Sequence, residues 1–135
     1  MINLEAVWMF VYRFVLGVTL IIHGYPKLKD RAKSAGQWMQ SMGIPYWTAF
    51  LAMLVEVVGG TAIILGFLTR LAALFLAVFM IANVFMKKSK MKAVYVSVEK
   101  PSYEVDVLYL ILALTLLVIG PGALSVDSAL GLTVL

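Results

Sequence analysis

Residues 46–67 read YWTAFLAMLVEVVGGTAIILGF, an apolar run broken by a single charge, Glu56. An α-helix crosses the hydrocarbon core of a bilayer in about 20 mostly apolar residues, so this run predicts a spanning helix. Three more stretches fit the same template. One runs from Ala6 to His23 and holds Arg13, and a short one runs from Leu71 to Met86 and holds Asn83. The last runs from Val105 to Gly120, where Gly120-Pro121-Gly122 stops a helix. The expectation is an all-α integral membrane four-helix bundle of antiparallel spans, one domain over residues 1–135.

Composition agrees. Hydrophobic residues are 63% of the 135-residue chain and charged residues 13%, against about 45–50% and 25% in soluble domains. A soluble protein of this size buries only about two-thirds of its surface and has nowhere to hide so much apolar side chain. The first span is too long, and too charged at its centre, for a cleavable signal peptide, so it is expected to stay in the protein. With no cysteine, thiol–disulfide exchange, thiolate-bound zinc and iron–sulfur chemistry fall away. With one histidine, paired-histidine ligation within the chain falls away too, and no metal is expected. The net charge of +4 is read as cytoplasmic-loop lysine and arginine rather than as a nucleic-acid surface.

Between the first two spans, residues 32–39 are expected to form a short amphipathic helix at the interface, with Trp38 at headgroup level. Leu68-Thr69-Arg70 is short enough to make spans two and three a tight hairpin. Residues 93–98 alternate as a strand does, without an evident partner. Lys27, Lys29, Arg31 and Lys33 fall in the first long loop, and Lys87, Lys88, Lys90, Lys92 and Lys100 in the second. Opposite them stands Arg70 alone. The positive-inside rule therefore puts both long loops in the cytoplasm and both termini outside the cell membrane.

A charge at the centre of a spanning helix costs at least about 2.5–3.5 kcal/mol, so it should face the bundle interior and be paired. Helical phase puts Arg13, Gly17, Leu20 and Gly24 on one stripe, and Ala49, Ala52, Glu56, Gly60 and Ile63 on another. The third stripe is Ala72, Leu76, Phe79 and Asn83; the fourth is Asp106, Ala113, Leu117 and Gly120. Small residues allow close approach, so these stripes are expected to point inward. Arg13 lies ten residues before His23, and Glu56 ten after Tyr46. Taken as matched ends of antiparallel helices, these positions make Arg13 and Glu56 a pair near the midplane. Such a pair either fixes the register of the helices or takes part in ligand binding and proton movement. Ala73 and Ala77 offer a small-xxx-small pattern suited to a homo-oligomer.

A second group gathers nearer the basic loops: His23, Lys27, Asn83 and Asp106, with Tyr25, Tyr46 and Trp47 nearby in sequence. Histidine changes charge near neutral pH and a carboxylate can orient it. Such a group beside aromatic rings suits a quinone headgroup, whose carbonyls need hydrogen-bond partners and whose chemistry needs a proton route. His23 and Asp106 equally suit helix ends at the interface, with the aromatic residues forming the usual belt.

Together these residues resemble the DoxX family of small four-helix membrane proteins. The resemblance lies in Arg13 with Leu16-Gly17, His23-Gly24 with Lys27, Gly43 and Pro45, and Glu56 with Gly59-Gly60. It continues through Leu65-Gly66 with Thr69-Arg70, Gly120-Pro121-Gly122 and Ser125-Val126-Asp127. The basic loop from Lys87 to Ser102 carries no matching motif. The family takes its name from a subunit of an archaeal terminal quinol oxidase, and DoxD relatives belong to thiosulfate:quinone oxidoreductase. The fold is similar to that of quinone-linked thiol oxidases, which use cysteine pairs this chain lacks.

The leading expectation is a membrane subunit of a quinone-linked oxidoreductase. In it His23 and Asp106 handle protons, Arg13, Glu56, Lys27 and Asn83 bind the ligand, and other oxidoreductase subunits sit alongside. The alternative is a structural or assembly subunit of a larger respiratory complex with no chemistry of its own. A transporter fits less well, because four helices without an internal repeat make a poor alternating-access machine.

Overall fold

The computed structural model describes residues 3–26, 32–41, 43–45, 47–90, 92–99 and 102–132. Among them the chain is all-helical: α1 (Leu4–Pro26), α2 (Ala32–Ser41), α3 (Trp47–Leu65), α4 (Thr69–Lys90), α5 (Glu104–Ile119) and the short α6 (Val126–Leu130). Three of these, α1, α3 and α4, are long and apolar enough to cross a membrane. The fourth expected span, α5, has 16 residues, which rise only about 24 Å. The amphipathic segment expected between the first two spans is α2, and it packs on α3.

Local chemistry sets the helix limits. Asn3 caps α1, which starts at Leu4, two residues before the expected Ala6: its side-chain oxygen accepts from the amides of Glu5 and Ala6. Gly66, at φ +68°, ends α3: its amide donates to the Ile63 carbonyl and the Phe67 amide to the Ala62 carbonyl. That is the paired bonding of a left-handed helix stop. The hairpin turn is therefore Gly66-Phe67-Leu68, and Thr69 and Arg70, expected in the turn, open α4. At its other end α4 continues past Met86 to Lys90, which puts Lys87 and Lys88 on a helix rather than in a loop. Residues 93–98 form no strand. A single bridge joins Val94 to Ser102, and the rings of Tyr95 and Tyr103 meet edge-on at 5.5 Å.

The core lies along the inner faces of α1, α3, α4 and α5, around Leu16, Leu20, Ile63, Leu76, Met80 and Leu116. Small residues let the helices close up. A Cβ on Gly17 would lie 2.5 Å from the Gly60 carbonyl oxygen, and one on Gly24 would lie 2.8 Å from the Glu56 Cβ. The expected inward stripes are therefore the buried ones on α1 and α3. Ala73 and Ala77 are also buried, in the core, and are not available to a second copy. Outside, Trp8, Phe14, Val58, Phe75, Phe85 and Val118 stand exposed. So much outward apolar surface suits a lipid surround and exceeds what a soluble monomer presents.

Candidate functional site

The two central charges do not meet. Partners descend along α3 as α1 ascends: Arg13 lies against Gly66, Gly17 against Gly60, Gly24 against Glu56. Arg13 and Glu56 are thus separated by seven to eight residues of α3, about 10–12 Å of rise. The expected pairing matched helix ends, His23 to Tyr46, whereas close contacts between glycines set the real register and stagger the helices.

Arg13 belongs to a polar assembly at the end of the molecule away from Lys87 and Lys88. It is wholly buried. One guanidinium nitrogen donates to the carbonyls of Ile63 and Ile64 at 3.1 and 3.0 Å, and the other donates to the Leu124 carbonyl. The first two are carbonyls of the last turn of α3, where helical donors run short; the Ile63 carbonyl is shared with the Gly66 amide. Beside it, the Asp127 carboxylate accepts from the amides of Leu68 and Thr69 at 2.6 and 2.9 Å, capping α4, while its own amide donates to Gly66. Arg70 packs against Gly120. The motif residues Arg13, Gly66, Gly120 and Asp127 thus meet at one joint, away from the cavity that the other candidate residues line.

The other predicted residues fare differently. Toward the lysine-rich end of α4, a cavity of about 470 Å³ is lined by His23, Glu56, Asn83, Lys87, Asp106 and Tyr109. Leu20, Ala52, Phe79 and Met80 supply apolar walls. Asp106, at the start of α5, is buried and faces α4, where Lys87 Nζ stands 2.6 Å from its Oδ2. Asn83 Nδ2 stands 3.5 Å from the other oxygen. Lys87 also donates to the Ser102 carbonyl at 3.3 Å. The expected His23–Asp106 partnership is absent: Asp106 takes Lys87, and the exposed His23 meets the Tyr109 ring edge-on at 6.3 Å. Lys27 and Tyr46 lie outside the described residues.

Lys87 and Tyr109 are the site residues that sequence reasoning missed. Both carried a signal. Lys87 follows Asn83 by four and Tyr109 follows Asp106 by three, the spacings that share a helix face. Ending the third span at Met86 hid the first of these.

The arrangement is that of a helical membrane protein with a polar, ion-paired cavity near one end of its apolar length. The chain belongs to the DoxX family, whose profile matches residues 8–88. That match takes in His23, Glu56, Asn83 and Lys87 and stops short of α5. Inner membrane protein YqjF of Escherichia coli (strain K12) is 35% identical over 129 residues, 95% of each chain. "Putative oxidoreductase CatD" of Bacillus subtilis (strain 168) is 25% identical over 115 residues, covering 85% of this chain and 81% of that one. No solved structure matches the chain.

Proposed function

We propose that this chain is a membrane subunit of a quinone-linked oxidoreductase and that the cavity between α1, α3, α4 and α5 takes the quinone headgroup. The observation that carries the reading is the Lys87–Asp106 pair inside that cavity, with Asn83, Glu56 and Tyr109 on the same walls. The donor set fits the group. Lys87 and Asn83 offer N–H donors for carbonyl oxygens, while Phe79, Met80 and Leu20 offer apolar contact to a flat ring. Bound there, a quinone supplies two-electron, two-proton chemistry, the electrons coming from a partner redox subunit. The chain's own residues orient the ring and hold protons: Glu56 and Asp106 are carboxylates within the cavity, and His23 at its exposed side passes protons to the aqueous face. The CatD name gives this reading distant support.

In this proposal α5 is the fourth span and completes an antiparallel four-helix bundle, with α2 on the interface. The positive-inside rule puts the cavity on the cytoplasmic side and both termini outside. Partner subunits dock on the apolar outer faces.

Purified protein in lipid nanodiscs tests it. Quinone retained by the wild type and lost on Lys87→Met supports the reading. A wild type that retains none, with quinol turnover in the native complex unchanged by Asp106→Asn, overturns it.

The alternative, a purely structural subunit, draws support from Arg13 and Asp127, whose polar groups are used for helix capping. It predicts that cavity substitutions which leave assembly intact also leave turnover intact.

A further inference from the structure

Gly59 and Gly60 are adjacent on α3 and do opposite things. A Cβ on Gly60 would lie 2.8 Å from the Gly17 carbonyl oxygen, whereas a Cβ on Gly59 would meet nothing within 4 Å. Gly59 faces a groove between α3 and α4 of about 510 Å³, walled by Val58, Ala62, Leu71 and Phe75. That groove continues into a second apolar space of about 460 Å³, with Leu51, Val55 and Phe75 common to both. The second space in turn shares Ala52, Phe79, Asn83 and Met86 with the polar cavity. From Ala52 to Ala62 the path follows α3 for about 15 Å. The three spaces thus adjoin in series along α3 and α4, the first two walled almost wholly by apolar side chains and the last by polar ones as well.

We propose that the α3–α4 groove is the berth of the polyprenyl tail of the quinone whose head occupies the cavity, and that Gly59 keeps it open. This rests on the headgroup reading above and adds to it the ligand class: a ring carrying one long linear, methyl-branched isoprenoid chain. Continuity with the cavity selects this occupant over a partner helix. The groove between α1 and α5 also adjoins the cavity, at Val105 and Tyr109, but its wall carries the Tyr12 hydroxyl, which donates to the Leu112 carbonyl at 2.6 Å, whereas the α3–α4 groove has Gly59 and open space.

The test is equilibrium binding to full-length protein in phosphatidylcholine nanodiscs, read by tryptophan quenching and by mass spectrometry of retained ligand. The probes are a polyprenyl benzoquinone and the same ring without its tail. Gly59→Leu fills the groove from a site with open space, and far-UV circular dichroism checks its fold. The expected result is about tenfold weaker binding of the tailed probe, with the tail-less probe bound as by wild type. Gly59→Ala, which adds little volume, should fall between. Equal binding of the tailed probe by wild type and Gly59→Leu overturns the berth while leaving the headgroup reading standing, as does an equal loss of both probes in a folded variant. If wild type binds neither probe, the headgroup reading fails and the berth falls with it.

Discussion

Gly17 and Gly60 touch backbone to backbone: a Cβ on Gly17 would lie 2.5 Å from the Gly60 carbonyl oxygen, and one on Gly60 would lie 2.8 Å from the Gly17 carbonyl oxygen. This contact fixes the register of α1 on α3, and with it the depth of every polar residue on both helices. Because backbone cannot step aside as a side chain can, Gly17→Ala should force the helices apart, at a cost of roughly 1–3 kcal/mol. Gly59→Ala, with open space to fill, should be neutral or slightly stabilising. Denaturant titration in detergent, followed by circular dichroism, gives both values. Equal stabilities for the two variants would refute the packing account.

Arg13 is buried among carbonyls, and its fork-shaped side chain is what allows it to reach Ile63, Ile64 and Leu124 together. Lysine carries the charge without the fork. Arg13→Lys should therefore destabilise by about 2–3 kcal/mol, and Arg13→Met by about 3–5 kcal/mol, since it removes the donor to the Ile64 and Leu124 carbonyls and the positive charge beside Asp127. The reversed pair, Arg13→Glu with Glu56→Arg, should not rescue assembly, because the two positions lie at different depths. Recovery of folded protein from membranes for the three variants decides the point.

Much of this was legible from residue order and much was not. Apolar runs and the phase of Gly17, Gly24, Glu56 and Gly60 give the helices and their inward faces, because lipid leaves polar and small residues few other places to go. Depth was not legible. Helix ends shift by several residues with local caps such as Asn3 and Gly66, and the α1–α3 stagger depends on which glycines touch. A ten-residue count from each end therefore paired Arg13 with the wrong level of α3. The cavity was half legible: His23, Glu56, Asn83 and Asp106 do line one space, but Asp106 chooses Lys87 because α4 runs one turn further than its apolar stretch.

Asp127 holds the start of α4 from a helix of only five residues, with both carboxylate oxygens on backbone amides. Removing a capping side chain costs about 0.5–2 kcal/mol. Asp127→Ala should sit at or above the upper end, because it also removes the negative charge nearest Arg13. Asp127→Asn keeps an acceptor for one amide and should lose about half as much. Hydrogen exchange at Leu68 and Thr69 reports this directly: both amides should exchange faster in Asp127→Ala, while those in the middle of α4 stay protected.

Lys87 and Asp106 allow structure and chemistry to be separated. The pair is 2.6 Å apart, with 27% of the Lys87 side chain exposed and 9% of that of Asp106. Removing one member leaves the other's charge in a largely apolar setting, whereas removing both leaves none. Lys87→Met and Asp106→Leu should each destabilise by about 1–3 kcal/mol, and the double variant by less than the sum of the two, a coupling readable as a double-mutant cycle. Quinone binding should behave differently. It should be weakened in both single variants and no better in the double, because the Lys87 donor and the proton-holding Asp106 oxygen are gone even though part of the lost stability is offset. Recovered stability together with recovered binding would mean that the pair only holds α4 to α5, and would favour the structural subunit over the oxidoreductase.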